Sequence, residues 1–451
     1  MQFAKIIFFL CIGIFFLSCK FFDRDSSHKE TPTPENITAD PRPRVQGRKI
    51  DLKKLYEKAT KDNDHFAMLH LGWYYDSGTG IKQNPREAAA WYRMAAERGN
   101  ISLAWNNLGC LYRDGRGVIQ DFKKAAELFR VSANQGNQHA QANLGWLYER
   151  GYGLEINYTE ALKLYTEAAK ERKDSKTGKM APGHPMAQNN LGCLYRDGKG
   201  TETDPMTAVK WFRKSATAGN QHGNFNLGVM YELGLGIKAD MRKAAEHYET
   251  AVNGGNVYAM HALGRLFWEG KNIPQNYTMA LKYFAMAAEK EYSAAMYSLG
   301  ILHLEGNGVK KDPIKAIEWM AFAAEKGYAV AQTKYAWMLQ EGIGIRKDYN
   351  KAAMWYERSA EQGLGIAQYQ LATLLHSGVT GEKDLVNAYK WMKVAAKGGH
   401  REAIPSLKVI EEEMTPFGFI DNGMGDEFEQ DADGTLWKNV NNDDDGGFFS
   451  W

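Results

Sequence analysis

Residues 104–117, AWNNLGCLYRDGRG, return almost letter for letter as residues 187–200, AQNNLGCLYRDGKG. Outward from this pair, the same frame is found nine times. Its anchor is a leucine followed by a small residue, at Leu71, Leu108, Leu144, Leu191, Leu227, Leu263, Leu299 and Leu371, with Tyr335-Ala336 in the eighth copy. The spacing is 37, 36 and 47 residues, then 36 five times running. A fixed period of this size marks a solenoid of helix pairs, in which each pair buries its apolar face only against its neighbours.

Each copy carries the same physical devices. Four positions before the anchor stands Ala67, Ala104, Ala140, Ala187, Gly223, Ala259, Ala295, Ala331 or Ala367. Directly after it come seven glycines, from Gly72 to Gly300, and then Ala336 and Ala372. Mid-helix glycine costs about 1 kcal/mol against alanine, so its return asks for a packing reason. Small residues on one face let a second helix approach closely. The anchor leucine and the ring four residues on (Tyr75, Tyr112, Tyr148, Tyr195, Tyr231, Phe267) are expected to be the buried knobs.

This first helix, helix A, stops at a Gly-x-Gly turn such as Gly115 and Gly117 or Gly342 and Gly344. Helix B opens at Asn84, Asp121, Asn157, Asp204, Asp240, Asn276, Asp312, Asp348 or Asp384, whose side chain can satisfy a free first-turn amide. Pro85, Pro205 and Pro313 follow three of these caps, where the missing N–H is harmless. Gly99, Gly136, Gly219, Gly255, Gly327, Gly363 and Gly399 close helix B. These devices predict helix pairs near 66–99, 103–136, 139–171, 186–219, 222–255, 258–291, 294–327, 330–363 and 366–399. The fold class is all-α: a right-handed α/α superhelix of about nine helix-turn-helix repeats of 36 residues.

The pattern A-x-x-x-L-G-x-L-Y-x-x-G-x-G, a spacer to Asp or Asn, then K-A-x-x-W-Y-x-x-A-A-x-x-G-N resembles the Sel-one-like repeat (SLR) family, relatives of the tetratricopeptide repeats. The resemblance covers about residues 51–410. It implies a protein that holds other proteins rather than one that catalyses. Some secreted members staple each repeat with a cysteine pair, and penicillin binding attaches to that subgroup. Here Cys110 and Cys193 occupy one repeat position two repeats apart, too far for a disulfide. They read as small buried hydrophobes, without the staples of that subgroup.

The ends differ from the middle. Residues 6–18, IIFFLCIGIFFLS, are too short an apolar run to span a bilayer and fit a signal-peptide core. FFLSCK resembles a lipobox, which makes residues 1–18 a lipoprotein signal peptide and Cys19 the lipidated residue. Residues 19–50 read as a flexible tether and 51–61 as a cap for the solenoid of residues 51–400. Lys20 after the cysteine favours the outer membrane, with the protein facing the periplasm or cell surface. A soluble periplasmic or secreted form is the alternative. Residues 170–185, KERKDSKTGKMAPGHP, lengthen one repeat and read as a solvated loop or a partner-contact loop. A capping helix is expected over 401–414 and an acidic tail over 415–451.

Charge and motifs narrow the activity. The chain is 24% charged with net charge +2, lacking the basic stripe of a nucleic-acid binder. The eleven histidines show no i, i+4 pair or HExxH run, and no P-loop, dinucleotide fingerprint or Gly-x-Ser-x-Gly elbow is present. No catalytic residue, metal site, cofactor or small-molecule substrate is expected.

What remains is a surface. The residue before the anchor is Asn107, Asn143, Asn190 and Asn226, then Ala262, Ser298, Lys334 and Gln370. In the tetratricopeptide relatives an asparagine here clamps extended peptides; the other reading is that it braces the next repeat. Two positions after the anchor the residue varies most, and Trp146, Arg265 and Trp337 are expected as partner contacts. The expected function is a non-enzymatic scaffold in the bacterial cell envelope, binding partner proteins or peptides in its groove. A peptidoglycan or glycan binder, or a β-lactamase-like envelope enzyme, is the alternative.

Overall fold

The computed structural model describes residues 51–173 and 180–415. The expected signal peptide, Cys19, the tether and the acidic tail beyond Thr415 lie outside these residues. The described chain forms two compact units, one ending at Asn256 and the other beginning at Val257.

In the first unit, Leu52–Lys61 precedes five pairs. The A helices are His65–Ser77, Ser102–Asp114, Gln138–Arg150, Pro185–Asp197 and Gln221–Leu233. Their B helices are Pro85–Gly99, Phe122–Asn134, Tyr158–Ala169, Pro205–Thr217 and Met241–Asn253. In the second unit the A helices are Val257–Glu269, Ser293–Glu305, Ala329–Glu341 and Gly365–Ser377. Tyr277–Glu289, Pro313–Glu325, Tyr349–Glu361 and Leu385–Lys397 are its B helices, and Ala403–Met414 closes it. Within each unit every helix A packs on its own helix B, and helix B on the next helix A. This is an all-α solenoid.

The local devices work as the sequence implies. All nine B helices are capped by the expected Asn or Asp, as when Asp121 accepts from the Lys124 amide at 2.9 Å. Glycines end the A helices in the left-handed region, Gly115 at φ 65° and Gly306 at φ 80°. The second turn glycine has another duty. A Cβ on Gly117 would lie 2.3 Å from the carbonyl carbon of Pro85, and one on Gly344 would lie 2.2 Å from the Pro313 oxygen. The turns at Gly117, Gly153, Gly200, Gly236, Gly308 and Gly344 thus press against the start of the preceding helix B. Gly80, in the first repeat, has nothing within 4 Å.

In the first six repeats the glycine after the anchor faces a ring from helix B of its own repeat, and Gly300 faces Met320. A Cβ there would come to 2.7 Å of Phe129 from Gly109, 2.8 Å of Tyr165 from Gly145, and 2.6 Å of Phe212 from Gly192. The anchor leucines are buried as expected, and it is the choice of rings that is corrected. The deepest rings are Tyr92, Phe129, Tyr165, Phe212, Tyr248, Phe284 and Tyr356, whereas Tyr75, Tyr112, Tyr148 and Tyr195 are only partly buried. Tyr112 and Tyr148 turn their hydroxyls to Arg93 and Arg130 of the preceding helix B, each at 3.0 Å.

The insertion is also more than a solvated loop. Arg172 pairs with Ala181 and Lys173 with Met180 as an antiparallel ribbon. Arg172 donates to the Gly136 carbonyl and to Gln141 Oε1, which ties the ribbon to the third repeat. Gly183 lies so close to Ala169 that a Cβ would overlap its carbonyl.

Candidate interaction face

The residues before the anchor and two after it are those expected to meet a partner, and the residue five after follows the latter by one helical turn. In the first unit they form a hydrogen-bonded ladder. Arg113 grips Asp114 through Nε at 2.7 Å and Nη2 at 3.1 Å, and donates from Nη1 to Asn143 Oδ1 at 3.1 Å. Asn143 donates to Asn106 Oδ1 at 3.0 Å and toward Cys110 Sγ at 3.6 Å. Asn106 donates to Asn107 Oδ1 at 3.2 Å, and Asn107 stands beside the buried Tyr92 hydroxyl.

Two repeats further on the ladder recurs part for part. Arg196 grips Asp197 and donates to Asn226 at 3.3 Å. Asn226 donates to Asn189 at 2.8 Å and toward Cys193 at 3.8 Å. Asn189 donates to Asn190 Oδ1 at 3.2 Å, Asn190 stands beside the Tyr165 hydroxyl, and that hydroxyl donates to Glu149 at 2.8 Å. Tyr248 and Glu232 repeat that last step, also at 2.8 Å. Where helix B supplies a tyrosine, Asp76, Glu149 or Glu232 stands five after the anchor. Where it supplies Phe129 or Phe212, an arginine stands there. A phenol needs an acceptor in a buried setting, and phenylalanine leaves room for a donor that reaches the next repeat.

The carboxamides of Asn107, Asn143, Asn190 and Asn226 are thus engaged inside the protein, as braces between repeats. Asn107 and Asn226 are buried, and Asn143 and Asn190 half-buried. Burial raises the Glu149 carboxyl above its ordinary value and pushes the Cys110 thiol up to about 11, so that sulfur is a neutral thiol in the ladder. Neither Cys110 nor Cys193 is part of a disulfide.

Trp146 is half-buried at the edge of the ladder, 5.2 Å from the Tyr152 ring, with the Arg113 guanidinium 6.0 Å from its own. Arg265, expected as a contact residue, is instead 2% exposed and ion-paired to Glu269 at 3.0 Å. Its guanidinium belongs to the interior.

In the second unit the row changes character: Ser298 meets His261 of the preceding repeat at 3.1 Å, Arg265 and Ile301 are buried, and Trp268 and Trp337 are half-buried. Trp268, Tyr297, Leu304, Tyr335 and Trp337 are partly buried around Ile301, Ala316, Ile317, Met320 and Met338. The Lys334 ammonium sits 3.8 Å from the centroid of the half-buried Trp337 ring. Burial lowers Lys334 to about 8, against the opposing pull of Glu305, and raises Glu305. Lys334 occupies the ladder-asparagine position, but the sequence alone did not mark it as Trp337's partner. Among the described residues no three His, Cys, Asp or Glu converge as a metal site, and no helix is long and apolar enough to cross a membrane.

The Sel1 repeat model matches residues 65–100, 103–137, 138–172, 185–220, 221–256, 257–292, 293–328, 329–364 and 365–400. Among solved structures, the chain is similar to a protective antigen of uropathogenic Escherichia coli displaying an SLR fold. The identity is 28% over 80% of this chain and 83% of that one, with a TM-score of 0.46. A Sel1 repeat protein from Oxalobacter formigenes is 32% identical over 56% of this chain and 96% of that one, with a TM-score of 0.48. No curated protein matches.

Proposed function

The chain belongs to the Sel1 repeat family, and from that premise we propose that it is a scaffold whose helix A face binds partner proteins. The observation that carries this reading is the change along one row of template positions. In the first unit the row is occupied by internal bonds. In the second, half-buried Trp268 and Trp337 stand on the row, with the Lys334 ammonium laid on Trp337. Aromatic residues and a cation at the mouth of a partly desolvated surface are the usual anchors of protein contacts. The partner segment that fits offers apolar side chains beside a carboxylate, which would meet Trp337 and Lys334. Trp146 is the corresponding contact in the first unit, with Asn143 and Asn190 holding the surface in shape.

The apolar run before Cys19 supports placement in the envelope as a lipoprotein, with the solenoid held off the membrane by residues 19–50. In-cell cross-linking with mass spectrometry tests the binding face. Trp337→Ala with Lys334→Ala is expected to remove partner cross-links, and Trp146→Ala to weaken a subset. An unchanged partner list refutes the assignment. Cys19→Ser is expected to move the protein from the detergent phase to the aqueous phase on Triton X-114 partitioning; no shift refutes the anchor.

A further inference from the structure

We propose that the seam between repeats 3 and 4 is an acid-sensitive latch: His139 and His184 hold it closed only while both imidazoles are neutral. His139 lies in the first turn of Gln138–Arg150, and His184 is the N-cap of Pro185–Asp197. The sequence places them 45 residues apart, across the insertion. The fold brings His184 Nε2 to 2.9 Å of His139 Nδ1, with the rings edge to face.

The proton positions follow from one bond. His184 Nδ1 accepts the Ala187 amide at 3.2 Å, so it carries no hydrogen. Its proton is therefore on Nε2 and is donated to His139 Nδ1. His139 then holds its own proton on Nε2. A further proton has two places to go. On His184 Nδ1 it destroys the cap of the fourth repeat's helix A. On His139 Nδ1 it sets two N–H groups against each other at 2.9 Å. Either site opens the seam.

The charged groups on the surrounding elements are engaged elsewhere. Lys170 pairs with Glu167, Glu171 with Lys214 at 3.3 Å, and Arg172 with the Gly136 carbonyl and Gln141. Among the described residues, burial holds His139 down to about 4. Burial and then the His139 ring hold His184 down to about 3. A value depressed below the free imidazole's 6.5 means stability that is full above pH 6.5 and lost as pH falls toward 4 and 3. What opens is specific. The same seam carries the start of the repeat 4 helix and the ribbon base, where Gln138 also ties to the Ala168 carbonyl at 2.9 Å.

The neighbouring seams supply the control. Their residues at these two template positions are Leu103 with Asn137 and Met186 with Asn220, and Asn137 and Asn220 cap their helices as His184 does. Hydrogen exchange on the full chain at pH 7.5 and 4.5, corrected for intrinsic rates, reads the latch. Peptides covering 164–173 and 183–190 are expected to open at least about a hundredfold more often at pH 4.5 in the wild type. His139→Leu with His184→Asn is expected to match the wild type at pH 7.5 and to lose this acid sensitivity. Equal opening at both pH values in the wild type, or the same acid response in the double variant, overturns the latch. Nitrogen-15 shifts of the wild-type rings give a check that needs no variant. Both imidazoles are expected as Nε2–H tautomers at pH 7.5, and a proton on His184 Nδ1 overturns the proposal.

Discussion

The two units share one frame and differ in one face. In both, glycine or alanine lies under a helix B side chain, Asn or Asp caps helix B, and left-handed glycines end helix A. Yet the position that holds Asn143 and Asn226 in the first unit holds Ser298 and Lys334 in the second. The first unit fills this row with bonds between repeats, whereas the second keeps the contact of His261 with Ser298 and places half-buried Trp268 and Trp337 on the row. The difference teaches that a repeat template fixes the backbone while single positions decide whether a face is sealed or open.

The largest expected effect tests that contrast directly. Asn226→Leu strands the buried Arg196 and Asn189 and should destabilise the first unit by about 3 kcal/mol. Lys334→Leu, at the same template position, should change the second by less than about 0.5 kcal/mol, because it also removes a poorly solvated ammonium. Unit-resolved hydrogen exchange in denaturant measures both, and equal costs would erase the distinction.

The shared frame should respond alike in both units. Gly117→Ala and Gly344→Ala each drive a methyl into backbone of the preceding repeat and should cost about 2–3 kcal/mol. Gly80→Ala, with open space, should cost only the left-handed strain of about 1 kcal/mol. Thermal melts rank the three, and a Gly80 penalty as large as the others would deny the contact. Tyr165→Phe orphans the buried Glu149 and should cost about 1.5 kcal/mol by denaturant titration. Tyr356→Phe, whose hydroxyl meets Gln340 at 3.2 Å, should cost about 0.5 kcal/mol. The smallest effect is chemical: acylation of Lys334 should titrate with a midpoint about 8. A midpoint at the ordinary lysine value would place its ammonium in open water.

Much of the frame was legible in the sequence, because caps and helix-ending glycines act within a few residues of themselves. The asparagine row was legible as a row and its duty was not. Asn143 meets Asn106 thirty-seven residues away, and only the stacking decides whether an amide turns to its neighbour or to solvent. The pairing of tyrosine with an acid and phenylalanine with arginine was present in the letters, readable by comparing helix B with the helix A before it. Ring depth is not legible from the i, i+4 spacing, because the helix B ring takes the space over glycine. The His139–His184 contact escaped notice because the insertion breaks the period at that point.

The bracing has a parity. Its full cycle takes two repeats, so this architecture can gain or lose length in even steps without stranding a donor. Excising the third repeat alone would set Asn190 against Phe129, which has no hydroxyl to receive its amide. Copies added or deleted in twos keep every partner, which favours duplication of seventy-odd-residue blocks over single units as the way such a stretch grows.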